Sequence, residues 1–170
     1  PGVYEVPFGK TIGEICSSVG GGLVSPPGGF AMGGWFGGLL SASRESTPCC
    51  FEALRAIGSG FGCGAITILD EPGAPIDFAA EVAAWYVKES AQQCGVCVKG
   101  TTAISEALAR LRSGRGAEQD TENLARWGNS LRGRGACAFL DGAAALARSL
   151  ASEFESELMQ KSQAACLADE

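Results

Sequence analysis

Cys94 and Cys97, separated by two residues in Gln93-Cys94-Gly95-Val96-Cys97-Val98, carry the spacing with the clearest chemical meaning in the chain. Thiolates three positions apart at the junction of two helices can both turn toward one metal, because the short turn between them lets the sulfurs converge. Two ligands do not complete a site. The chain has no histidine, so the remaining ligands are expected to be cysteines, and Cys137 and Cys166 lie downstream. An all-thiolate set suits an iron-sulfur cluster or a structural zinc, and ligand softness does not separate the two.

The other cysteines read differently. Cys49 and Cys50 are adjacent and cannot easily ligate one ion together, so they are expected to be small buried hydrophobes, with Cys63 in the same half of the chain. Without histidine, serine-histidine and cysteine-histidine catalysis is excluded, and no pair of carboxylates stands out. The glycine-rich stretch 20–38 contains no Walker-type phosphate loop and no clean dinucleotide-binding glycine pattern.

Helices must position the motif. Asp77 is expected to cap a helix carrying Phe78, Val82, Trp85 and Tyr86 on one face and ending near Ser90. Thr101 or Thr102 starts a second with Ile104, Leu108 and Leu111 inward, and Asp120 caps a third with Leu124, Trp127 and Leu131. Asp141 caps a fourth, in which Leu146, Leu150, Phe154 and Leu158 recur every four residues. In an up-down bundle the first and third connections share an end, which brings Cys94 and Cys97 to the side of Cys137. Cys166 follows a helix running away from that end and reaches it only if the tail folds back.

The first part of the chain reads as a small mixed unit. Val3–Phe8 has the composition of an edge strand, and Thr11 with Glu14 has the spacing of a capping box for a helix carrying Ile12, Ile15, Cys16 and Val19. A short strand is expected at Phe30–Met32, a helical turn at Phe51–Ile57 and a buried strand at Ala65–Leu69. The fold class is therefore α+β, divided into residues 1–72 and 75–170.

At 170 residues, with 46% hydrophobic and 19% charged, the chain is long enough for a real core. The net charge of -6 is unevenly spread. Residues 99–134 hold seven basic and four acidic side chains, whereas residues 1–98 hold four and nine. The basic block reads first as a solvated helix face and second as a docking patch. So acidic a whole argues against nucleic acid. Eight cysteines fall short of a disulfide scaffold, which favours a reducing compartment, and no segment approaches the roughly 20 apolar residues of a membrane span.

These features resemble, in order, the C-terminal half of the NADH-binding flavoprotein subunit of respiratory complex I and its relatives in hydrogenases and formate dehydrogenases. Phe8-Gly-Lys-Thr-Ile-Gly-Glu-Ile with the later glycine pairs resembles the SLBB domain, a β-grasp fold. Gly58-Ser-Gly-Phe-Gly-Cys-Gly-Ala-Ile-Thr-Ile-Leu-Asp70 resembles the family's glycine-rich turn and strand, and the four helices resemble its iron-sulfur bundle. The family's cluster motif runs Glu-Ser-Cys-Gly-x-Cys-x-Pro-Cys-Arg-x-Gly-Thr, and Glu89–Thr101 aligns with it without a gap. Cys94 and Cys97 take its second and third cysteines, Cys137 the distant fourth, and Ala91 stands where the first belongs. Glu89–Cys97 and Gly133–Gly142 also resemble a divergent bacterial branch of the family.

The resemblance implies one 4Fe-4S cluster on Cys94, Cys97, Cys137 and Cys166, with Cys166 replacing the missing ligand. It implies an SLBB-type β-grasp domain followed by a four-helix iron-sulfur domain, acting as an electron-transfer module of a larger redox complex. Partners would be other subunits, a ferredoxin-like or flavin-containing donor and a membrane-bound acceptor, in the cytoplasm and peripheral to the inner membrane through them. The family's flavin and NADH domain precedes the SLBB unit and has no counterpart in these 170 residues, so neither FMN nor NADH is expected on this chain. Because of Ala91, the alternative is a cluster-free or zinc-bearing structural subunit. A third reading is small-molecule binding by the β-grasp half, supported by the glycine-rich stretch around Trp35.

Overall fold

A computed structural model describes the backbone of residues 1–168 and the side chains of residues 1–162. The architecture is α+β. Helix α1 (Ile12–Ser18) begins at the expected capping box, in which the Thr11 hydroxyl accepts from the Glu14 amide at 3.1 Å and the Glu14 carboxylate accepts from the Thr11 amide at 2.7 Å. Residues 3–8 form no strand. They have suitable β residues but no partner edge; Val3 and Phe8 are exposed, and the nearest bridge joins Thr11 to Pro48.

Three short antiparallel strands follow: β1 (Gly29–Met32), β2 (Leu39–Ser41) and β3 (Ile66–Leu69), in spatial order β2-β1-β3. A 3-10 turn, Ala42–Arg44, follows β2, and α2 (Phe51–Ala56) precedes β3. β3 is an edge strand with only Leu69 fully buried, which corrects its reading as a buried strand. Its β-branched residues line a half-open face, not an enclosed one.

The register sets Phe30 beside Leu40 and Ile68, and Ala31 beside Leu39. Side chains alternate across a sheet, so these rows face opposite ways. Phe30, Met32 and Leu40 pack with Ile12, Cys16, Cys49 and Leu54 into one core. Ala31, Leu39 and Leu69 join the larger core of the helices. Cys49 is buried in the smaller core as expected, and Cys50 is half-buried.

Five helices complete the chain: α3 (Ala74–Glu89), α4 (Gly95–Arg112), α5 (Glu118–Ser130), α6 (Phe139–Glu153) and α7 (Glu155–Ala168). All four anticipated helix starts lie elsewhere, α4 being capped at Cys94 and not at Thr101 or Thr102. Gly73, at φ +90°, caps α3 with Pro75 in its first turn, so Asp77 lies inside the helix. Asp120 is the third residue of α5, where its carboxylate accepts from the Ala117 amide at 3.1 Å. Asp141 sits in the first turn of α6.

The stripe Leu146, Leu150, Phe154 and Leu158 is buried throughout, yet the helix breaks at Phe154 (φ -130°, ψ 29°). The break has a tertiary cause. Glu153 is held by Arg44 and Ser41 beside β2, and the Phe154 ring lies against Gly29 of β1. α7 then turns back onto α4, α5 and α6. Among the described residues no helix is long and apolar enough to cross a membrane.

Candidate metal centre

Cys94 is the N-cap of α4 and Cys97 lies in its first turn, so this helix starts well before Thr101. The cysteine motif thus occupies a helix N-terminus, not a free turn. The first amides of a helix have no intrahelical acceptor and its dipole is positive at that end, so a negatively charged group is well placed there. Thr101 is buried inside α4, where its hydroxyl donates to the Cys97 carbonyl at 2.9 Å.

Cys97 is buried, with the Ser90 hydroxyl oxygen 3.8 Å from its sulfur. Ser90 is the C-cap of α3, so the residue that ends one helix lies beside the first turn of the next. Cys94 is half-buried and Cys137 exposed. Ala91, at the position of the family's first cysteine, is exposed just ahead of Cys94 and offers no side-chain donor atom.

Cys137 lies between α5 and α6, in a connection held by the Asp141 carboxylate, which accepts from the Gly133 amide at 2.7 Å. Gly100 brings this connection against α4. A Cβ built on Gly100 would lie 3.0 Å from Leu131 Cδ1 and 3.1 Å from Leu140 Cδ1, so the missing side chain permits the close approach. Cys94, Cys97 and Cys137 therefore share one end of the bundle. Among the described residues their sulfurs do not converge into a group of three metal-ligating side chains. Cys166 lies outside the described side chains.

The chemistry of the donors fits an iron-sulfur group: soft thiols at one bundle end, two of them on a helix N-terminus, with a hydroxyl beside one sulfur. The buried cysteines of the sheet core are unlike them. Burial pushes the Cys49 thiol up to about 11, with the neighbouring Cys16 and Cys50 adding to the effect, and burial likewise raises Cys16. Such thiols stay protonated and inert.

An aromatic cluster also reaches this end, and sequence reasoning missed it. Trp35 packs on Trp85 with centroids 4.3 Å apart, Tyr86 on Phe139 at 5.0 Å, and Trp85 on Phe139 at 5.7 Å. The Tyr86 hydroxyl donates to the Trp35 carbonyl at 3.1 Å, and a Cβ on Gly142 would collide with that hydroxyl. The glycine-rich loop around Trp35 is thus used in packing sheet to bundle. The signal available beforehand was the pair of aromatics flanked by glycines at Gly33–Gly38.

The family model described as NADH-ubiquinone oxidoreductase-F iron-sulfur binding region matches residues 77–161. The chain is 31% identical over 164 residues to the F subunit of the NADH-quinone oxidoreductase of Mycobacterium tuberculosis, covering 94% of this chain and 36% of that protein. It is 26% identical to the second F subunit of the NADH-quinone oxidoreductase of Rhizobium meliloti, covering 94% of this chain and 38% of the relative. An NAD+-reducing [NiFe]-hydrogenase, solved in its air-oxidized state, shares the fold with a TM-score of 0.81 at 24% identity, over 95% of this chain and 27% of that one. The chain thus spans little more than a third of the curated relatives' length.

Proposed function

The chain belongs to the NADH-ubiquinone oxidoreductase-F iron-sulfur family, and we propose that it is an electron-relay module holding one 4Fe-4S cluster on Cys94, Cys97, Cys137 and Cys166. The observation that carries this reading is the mounting of Cys94 and Cys97 on the N-terminus of α4, beside the α5–α6 connection that bears Cys137. When bound, such a cluster supplies a one-electron couple. The chain's own part is to supply thiolates, keep water from Cys97 and set the surface through which electrons enter or leave. Residues 1–72 act as the SLBB-type unit and residues 75–170 as the iron-sulfur unit.

The partners in this reading are subunits of a redox complex, with a ferredoxin-like or flavin-containing donor and a membrane-bound acceptor, so that the chain works in the cytoplasm at the membrane's periphery. The charge at the cysteine end supports an acidic protein partner. Residues 88–99 and 131–141 together carry four cations and two carboxylates in a chain of net charge -6. Lys99, Arg132 and Arg134 are exposed and make no ion pair among the described residues. Exposed charge of one sign accelerates encounter with a partner of the other.

Ala91 favours a second reading, in which the family's cluster is lost and the chain is a zinc-bearing or metal-free docking subunit. Anaerobic purification with iron, sulfide and zinc quantified per chain, and an EPR spectrum after reduction, separates the two. The relay reading expects roughly four irons with matching sulfide and a reduced-cluster signal. Zinc alone, or no metal, overturns it.

A further inference from the structure

The turn between α3 and α4 contains Gln92 at φ 54°, the one non-glycine residue with positive φ among the described residues. Such a backbone is strained for a side-chain-bearing residue and persists only where its surroundings enforce it. Two hydrogen bonds do so here. The Gln92 amide donates to the Ser90 hydroxyl oxygen at 3.2 Å, and the Gln93 side-chain amide donates to the Ala91 carbonyl at 3.2 Å.

Ser90 thus accepts on one side, which leaves its proton for another partner. The Cys97 sulfur lies 3.8 Å away, and in the metal-free chain either atom can be the donor. A cysteine sulfur bound to a metal carries no proton and can only accept, so toward a ligating Cys97 the serine is the donor. Cys97 is only 9% exposed, so little water competes for the position.

We propose that Ser90 is a positioning residue which, through its hydrogen bond to the Cys97 sulfur, raises the reduction potential of the bound cluster. This rests on the reading of Cys97 as a ligand. Reduction adds an electron whose charge is shared with the sulfurs, and a donor to sulfur stabilises that form more than the oxidised one. The strained Gln92 turn holds the donor in place. No atom is transferred; the electron still comes from the redox partner.

The test is an EPR-monitored redox titration of the full chain, purified anaerobically, as wild type, Ser90→Ala and Ser90→Thr. Ser90→Ala is expected to keep full iron and sulfide while its oxidised-to-reduced equilibrium moves about tenfold toward the oxidised form, a fall of about 59 mV for a one-electron couple. Ser90→Thr keeps the hydroxyl and is expected to stay near wild type. An unmoved midpoint in a fully loaded Ser90→Ala, or an equal fall in Ser90→Thr, overturns the inference. Loss of the cluster in Ser90→Ala alone makes the hydroxyl an assembly requirement and overturns the potential-setting role. A wild-type chain that holds no cluster instead overturns the ligand reading, a failure visible before any substitution.

Discussion

Gly128 on α5 lies against the backbone of Arg148 on α6: a Cβ built on it would fall 2.5 Å from the Arg148 amide nitrogen and 2.7 Å from its Cα. A helical glycine costs about 1 kcal/mol relative to alanine, so steric closeness outweighs propensity here. Gly128→Ala should force α5 from α6 and destabilise by about 1–3 kcal/mol net, an overpacking cost. Denaturant unfolding measures it. Equal or higher stability would mean that the interface yields at no cost.

The ion pairs predict a loss of stability in acid. Burial pushes the Glu153 carboxyl up, but hydrogen bonds from Arg44 and Ser41 and the Arg44 charge outweigh it and leave the group below its ordinary value. Asp120 behaves alike: burial raises it, and Arg110, the Ala117 amide and the Arg110 charge prevail. A carboxylate depressed in the folded state stabilises the fold above its unfolded value, about 4, and the gain is lost as pH falls through the folded value. Thermal midpoints should therefore drop below about pH 4, and less steeply in Glu153→Gln than in wild type. Parallel curves for the two proteins would remove Glu153 from the account.

Ala91 and Cys166 can be tested as alternatives for one ligand position. Cys94→Ser and Cys166→Ser should each lose most bound iron, whereas Cys49→Ser, in the sheet core, should keep it. Ala91→Cys restores the family's first cysteine, so the double variant Ala91→Cys with Cys166→Ser should regain the metal. Full iron in Cys166→Ser alone would assign the fourth position elsewhere.

Lys99, Arg132 and Arg134 should set the rate at which an acidic donor reaches the chain. Reversing all three to glutamate is expected to slow reduction by a reduced ferredoxin roughly tenfold at low salt and to remove the decline with ionic strength expected of wild type. Stopped-flow absorbance at several salt concentrations reads both. Identical rates would leave these cations as a solvated surface.

Local signals were legible in advance, and long-range ones were not. The Thr11–Glu14 box could be read because both partners lie within one turn. The likeness of Glu89–Thr101 to the family's motif could be read because a short motif is local by nature. The start of α4 could not, since Gly95 and β-branched Val96 and Val98 look like a turn until Cys94 caps them. The apolar stripe through Phe154 is continuous, and only the grip of Arg44 on Glu153, from more than a hundred positions away, shows why the helix breaks. The strain at Gln92 leaves no mark in composition. The parity of the connections puts Cys137 at the same end as Cys94 and Cys97, and the packing of Gly100 against Leu131 and Leu140 is the contact that parity alone does not reveal.

The alternation along β1 gives the sheet a mechanical role. Phe30 and Met32 look into one core and Ala31 into the other, so β1 is a wall common to both. Neither side can melt without exposing the face it shares, and heating should produce one calorimetric transition with equal van't Hoff and calorimetric enthalpies. For the same reason, a cut after Asp70 would not release two sound halves. The helices would lose the lining supplied by Leu39 and Leu69, the sheet would be left with an uncovered apolar face, and the fragments should aggregate unless they are expressed together and re-pair.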